Sequence, residues 1–134
     1  YLLKNQSYPF YDSTSGSSVL NTISLINLNS IKDFNHKIKK EIEFERFRGN
    51  IYIKGLKAFE ERNWINKIIK INDTEFKVLK HISRCSVTNL KINSVQIDIN
   101  IPNLLKKTYG HIDMGIYLFP INNGKIKIGD IINF

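Results

Sequence analysis

The chain has 134 residues, 42% of them hydrophobic and 11% aromatic, with a formal net charge of +8. That length and apolar content support one domain with an ordinary core, and no run of about 18 apolar residues offers a membrane-spanning helix. The single cysteine, Cys85, excludes an internal disulfide framework and fits a reducing compartment, taken here as the cytoplasm.

The chain opens Tyr1-Leu2-Leu3-Lys4, with no methionine and no signal-peptide pattern. This points to residues before Tyr1 that were removed or not included. Residues 1–20 read as a lead-in segment, weakly patterned and small and polar over Asp12–Ser18, and residues 21–134 as the domain proper. Thr22–Ile26 is β-branched and nearly alternating, a short strand. Asn29 or Ser30 then caps a helix to about Lys40, with Ile31, Phe34 and Ile38 on one face. Residues 42–47 are mixed. Strands follow at Asn50–Lys54, Lys67–Ile71 and Glu75–Leu79, the last two a hairpin around Asn72-Asp73. Val95–Ile99 alternates like another strand. Pro102 opens a helix that stops at Gly110. Gly115–Phe119 and Lys125–Ile128 read as a hairpin through Asn122-Asn123-Gly124. Six or seven short strands and two helices, none in βαβ spacing, give a mainly β fold with a few short helices.

The charge comes from 16 Lys and only 4 Arg. A polyanion partner is one explanation, and the joint abundance of Ile, Asn and Lys that an AT-rich coding sequence produces is another. The lysines are scattered and not interleaved with aromatics, which favours a small anionic ligand over nucleic acid.

Three constellations carry chemistry. Ser83-Arg84-Cys85-Ser86-Val87-Thr88 holds the lone thiol beside a fixed positive charge, which would favour the thiolate. That thiol is a candidate nucleophile, persulfide carrier or soft metal ligand, or simply a small buried hydrophobe. Arg46-Phe47-Arg48-Gly49-Asn50 places two of the four arginines on one side if extended, suiting phosphate or carboxylate, with Gly49 letting a ligand approach the backbone. The histidines, His36, His81 and His111, show no metal-ligand spacing, although His81 could pair with Cys85 as imidazolium and thiolate.

In this order, Arg46–Asn50, Gly55-Leu56, Trp64, Ser83–Thr88, Gly115-Ile116-Tyr117 and Gly124–Asp130 resemble the MOSC domain, over about residues 20–134. The stretch Ile23–Ser30 fits that family's opening strand and helix. The resemblance implies a twisted β-barrel that binds molybdenum cofactor (molybdopterin), and at family level pyridoxal phosphate binding. It implies an oxidoreductase domain reducing N-hydroxylated small molecules with an electron-donor protein, or else a module carrying sulfur from a sulfur donor as a persulfide. It places Cys85 as the catalytic position and molybdenum ligand. Arg48 and Asn50 stand at the family's R-x-N that contacts the cofactor, Ser83, Arg84 and Thr88 flank the cysteine, Asn27 and Ser30 fall at the opening turn, and Tyr117 matches a recurrent aromatic. Two departures are Gly49, where many members have proline, and Ser83, where many have a further cysteine. The amino-terminal barrel of two-part members is missing, as it would be from a fragment of a larger enzyme. No nucleic-acid or membrane partner is expected.

Overall fold

The computed structural model describes residues 22–134. The lead-in segment 1–20 therefore lies outside the described residues. One six-stranded sheet, curled into a half-barrel, forms the frame, in the order β2-β1-β5-β4-β3-β6. These are β1 (Ile23–Asn27), β2 (Ile51–Ile53), β3 (Ile68–Ile71), β4 (Thr74–Ser83), β5 (Asp113–Pro120) and β6 (Ile132–Asn133). Two helices, α1 (Leu28–Ile38) and α2 (Ile101–Tyr109), complete a mainly β architecture.

β1 is buried along its whole length because both of its faces meet a core. Ile23 and Leu25 join Trp64, Ile69, Phe76, Val78, Ile116 and Leu118 on one face of the sheet. Ile26 points the other way, toward Phe34, Phe47, Ile101, Leu105 and Met114 beneath the helices. Period-2 alternation sends successive side chains to opposite faces. Each large side chain that is fully buried contributes about 1.5–3 kcal/mol of transfer free energy.

α1 is capped by Asn27, whose side chain accepts from the Asn29 N–H at 3.0 Å, two to three residues before the expected cap. β1, α1 and β2 make a βαβ unit, since β1 and β2 pair in parallel. The sequence pattern hid this because β2 is only three residues long. α2 begins and ends where Pro102 and Gly110 place it.

Two expected strands are absent. Lys125–Ile128 is not the partner of β5, because β5 already pairs with β1 on one side and β4 on the other. The chain instead reaches the free side of β3 and adds β6 there. Val95–Ile99 forms only the isolated bridge Leu90–Ile97. Val95 is 93% and Ile97 67% exposed, so the alternation had no second layer to bury against.

At one end of the β4–β5 pair the register slips twice, between Val78 and Lys80 and between His81 and Ser83. Such bulges bend strands and re-aim side chains. Gly115 lies in the second, at φ 89°. A Cβ there would sit 2.6 Å from the Leu25 carbonyl oxygen, so the close approach of β1 requires glycine.

Candidate functional site

The bulged end of β4 delivers the cysteine turn. After Ser83 the chain runs through Arg84 and Cys85 into one turn of 3-10 helix, Ser86–Asn89. Four polar groups fix this turn. The Arg84 N–H donates to the Ile112 carbonyl at 2.9 Å. The Ser83 hydroxyl donates to Asp113 Oδ1 at 2.7 Å. The Thr88 hydroxyl and N–H both donate to the Cys85 carbonyl, at 2.8 and 3.2 Å. The Cys85 side chain is left exposed. It is therefore a presented thiol and not a buried small hydrophobe.

Arg84 is itself buried. Its Nε donates to the Met114 carbonyl at 2.9 Å, Nη1 to the Phe47 carbonyl at 2.8 Å, and Nη2 to Met114 O as well. The guanidinium lies 5.5 Å from the Phe47 ring centre. No carboxylate pairs with it among the described residues, and burial pushes its pKa down to about 10. All three nitrogens serve the backbone, so Arg84 locks the turn to β5 and to Phe47. The Gly115 bulge is what presents the Met114 carbonyl for this purpose.

The two neighbouring arginines part company. Residues Phe44–Phe47 form a 3-10 turn, not an extended segment, so the expected alternation does not apply. Arg46 is buried and clamps Asp98 with two bonds of 2.7 and 2.8 Å and Glu43 with one of 2.6 Å. Arg48, in the left-handed region at φ 49°, is exposed. Gly49 faces Ile26 and Tyr52, so protein and not ligand occupies its open side.

A cleft of about 310 Å³ joins Cys85, Ser83, Arg84, Thr88, Arg48, Tyr117 and Lys80. The Lys80 ammonium stands 5.8 Å from the Tyr117 ring centre. No carboxylate lines this cleft. Six of the nine expected site residues thus converge. Asn50 is next to them but ties the 3-10 turn to β1, its Oδ1 accepting from the Ser24 N–H and hydroxyl at 2.9 and 2.8 Å. Asn27 and Ser30 lie elsewhere, buried, donating to the two oxygens of Glu61 at 2.9 and 3.2 Å.

Sequence reasoning missed Glu61, which is fully buried, with its carboxyl pushed above the usual range by burial. It also missed Lys80 and Asp113, whose roles depend on pairings between distant segments. His81 lines the cleft, but its Nε2 lies 3.2 Å from the Arg62 carbonyl and its Nδ1 3.8 Å from Asp113. Both ring nitrogens face those groups, and a His81–Cys85 ion pair is not formed. No group of three or more His, Cys, Asp or Glu that could hold a metal ion occurs among the described residues.

The MOSC domain family model matches residues 15–133. The chain is 30% identical over 120 residues to the rat protein "Mitochondrial amidoxime reducing component 2", covering 81% of this chain and 35% of the relative. It is 29% identical over 132 residues to human "Mitochondrial amidoxime-reducing component 1", covering 90% and 37%. The bovine component 2 is 28% identical over 120 residues. The chain spans about a third of the length of these curated relatives.

Proposed function

The chain belongs to the MOSC domain family, and on that footing we propose that it binds molybdenum cofactor within an oxidoreductase that reduces N-hydroxylated small molecules, with electrons from a donor protein. The observation that carries the reading is the exposed Cys85 thiol, held on a locked turn at a cationic cleft without carboxylates. The donor set fits the group: a soft thiolate suits molybdenum already bound by sulfur, and Arg48 and Lys80 suit a phosphate. The same cations would accept the phosphate of pyridoxal phosphate, but the thiol favours the molybdenum cofactor. The relatives' name, amidoxime reducing component, supports the substrate class.

When bound, the cofactor supplies the two-electron redox chemistry. In this reading Cys85 is the catalytic residue and the molybdenum ligand. Arg48 presents its fork to anionic oxygens. Tyr117 and Lys80 wall the cleft. Arg84, Ser83 and Thr88 act chiefly by holding the turn, so that the thiol meets its ligand without reorganisation. Asn50, Asn27 and Ser30 support β1 and α1 rather than touch the ligand. We take residues 21–134 as the functional domain and the cytoplasm as its location; the relatives are named as mitochondrial. No helix among the described residues is long and apolar enough to cross a membrane.

The test is metal analysis of the full-length protein made in a host that synthesises the cofactor. One molybdenum per chain, lost in Cys85→Ala, supports the proposal; no molybdenum in the parent protein refutes it. The exposure of Cys85 also favours a second reading, a sulfur carrier that forms a persulfide. Intact mass after incubation with a sulfurtransferase would then rise by about 32 Da, since a persulfide adds one sulfur atom.

A further inference from the structure

A second cleft, of about 350 Å³, adjoins the first and shares Arg46, Arg48 and Val87 with it. Its far wall is the segment Leu90–Ser94. No carboxylate lines it either, and its two outward cations are Arg48 and Lys91. Arg46 is not available to a ligand, because Asp98 and Glu43 take up its charge.

The wall is built rather than loose. The Lys91 N–H donates to the Gln96 carbonyl at 2.9 Å, and the Ser94 N–H donates to the Lys91 carbonyl at 3.1 Å. The Gln96 N–H donates to the Ser94 hydroxyl at 3.0 Å. This closed turn is pinned to the body by the paired Arg46–Asp98 bonds at one end. A second tie is the Asn89 side chain, which accepts from the Ile101 N–H at 2.8 Å. Neither Arg48 nor Lys91 has an ion-pair partner among the described residues. Two cations therefore face a preformed cleft that continues away from the thiol.

We propose that this second cleft is a substrate subsite, and that it selects N-hydroxylated substrates carrying a carboxylate, held by Lys91. The inference rests on the reading of the first cleft as the reaction site. A molecule whose N-hydroxylated end reaches Cys85 crosses the shared boundary of Arg46, Arg48 and Val87 before meeting Lys91. A carboxylate suits the point charge of Lys91, while Arg48, on the boundary, serves the first cleft.

The experiment measures binding, not turnover. Dissociation constants of benzamidoxime and 4-carboxybenzamidoxime are determined by calorimetry for the parent chain and for Lys91→Ala, with and without bound cofactor. The carboxylated ligand should bind about fivefold tighter to the parent, the scale of one partly exposed ion pair. In Lys91→Ala that ratio should fall to near one. Circular dichroism and a melting curve establish that Lys91→Ala folds. Lys91→Arg is the second variant and should keep the ratio. Equal affinities for both ligands, or a ratio unchanged in Lys91→Ala, overturn the inference. A ratio that vanishes once cofactor is loaded also overturns it, since Lys91 would then be serving the cofactor's own phosphate. Failure to bind molybdenum would instead sink the reading of the first cleft, and leaves these ratios measurable.

Discussion

Replacing Gly115 with alanine tests how the fold presents the thiol. Two costs add at this position. An L-residue held at φ 89° is strained by about 1 kcal/mol. The new Cβ also meets the Leu25 carbonyl oxygen at 2.6 Å and Ile26 Cγ1 at 3.0 Å. That oxygen is backbone on a strand paired on both sides, so it cannot swing away as a side-chain tip would. Overpacking of this kind costs about 1–3 kcal/mol, for a total of about 2–4 kcal/mol. For a domain of this size that corresponds to a fall in melting temperature of about 8–16 °C. Gly110 supplies the control, with φ 80° and nothing within 4 Å of its ideal Cβ. Gly110→Ala should show the strain alone, about 1 kcal/mol or 4 °C. Calorimetric melting of the three proteins decides it. A Gly115→Ala protein that melts within the range of Gly110→Ala would refute the close-approach argument, and with it the role of the bulge in presenting Met114 O to Arg84.

Three further outcomes follow from the buried polar groups. Hydrogen bonds from Arg46 hold the Asp98 carboxyl below its ordinary 3.8, and Glu43 is held below 4.5 for the same reason. Lowered folded-state values contribute stability above those pH values and lose it as pH falls through the folded ones. The urea-midpoint gap between the parent and Asp98→Asn, open at pH 7, should therefore narrow below about pH 4; a gap independent of pH argues against the clamp. Glu61 has the opposite sign, because burial raises its pKa above 4.5 and ionising it costs stability as pH rises. Glu61→Gln, which does not titrate, should gain on the parent between pH 4 and pH 7, and equal midpoint shifts at both would contradict this. Thr88→Val removes the hydroxyl bond to the Cys85 carbonyl but keeps the N–H bond, and should cost about 1 kcal/mol by urea unfolding. An unchanged midpoint would mean that the hydroxyl does not clamp the turn.

What could be read from the chain alone was local. The Lys67–Leu79 hairpin and the Ile101–Tyr109 helix carry their own signals, alternation around Asn72 in one and Pro102 with Gly110 in the other. Errors arose where a distant partner decides. Lys125–Ile128 alternates well but is shut out because β5 is already paired on both sides. Val95–Ile99 alternates with nothing to cover it, and Arg46 ties its Asp98 into a loop instead. At the site, Cys85 and Arg48 were legible because their side chains are presented outward. Arg46 and Arg84, of the same residue type and nearby in sequence, turned out to be struts, since burial is settled by packing between segments.

The pairing of β1 also bears on how the molecule comes into being. β1 comes first among the strands, yet Ile23 and Leu25 pair with Leu118 and Ile116 of β5, four strands later. Long-range pairing of this kind slows folding, and until β5 joins it the strand Ile23–Asn27, with Ile23, Leu25 and Ile26 among its five residues, has only the short β2 to cover one side. The lock on the cysteine turn comes just as late, because Arg84 closes on the Met114 carbonyl of β5 as well. A growing or truncated chain that stops before β5 would display an aggregation-prone strand and an unanchored thiol together, so the thiol is presented on its locked turn only once β5 has joined the sheet.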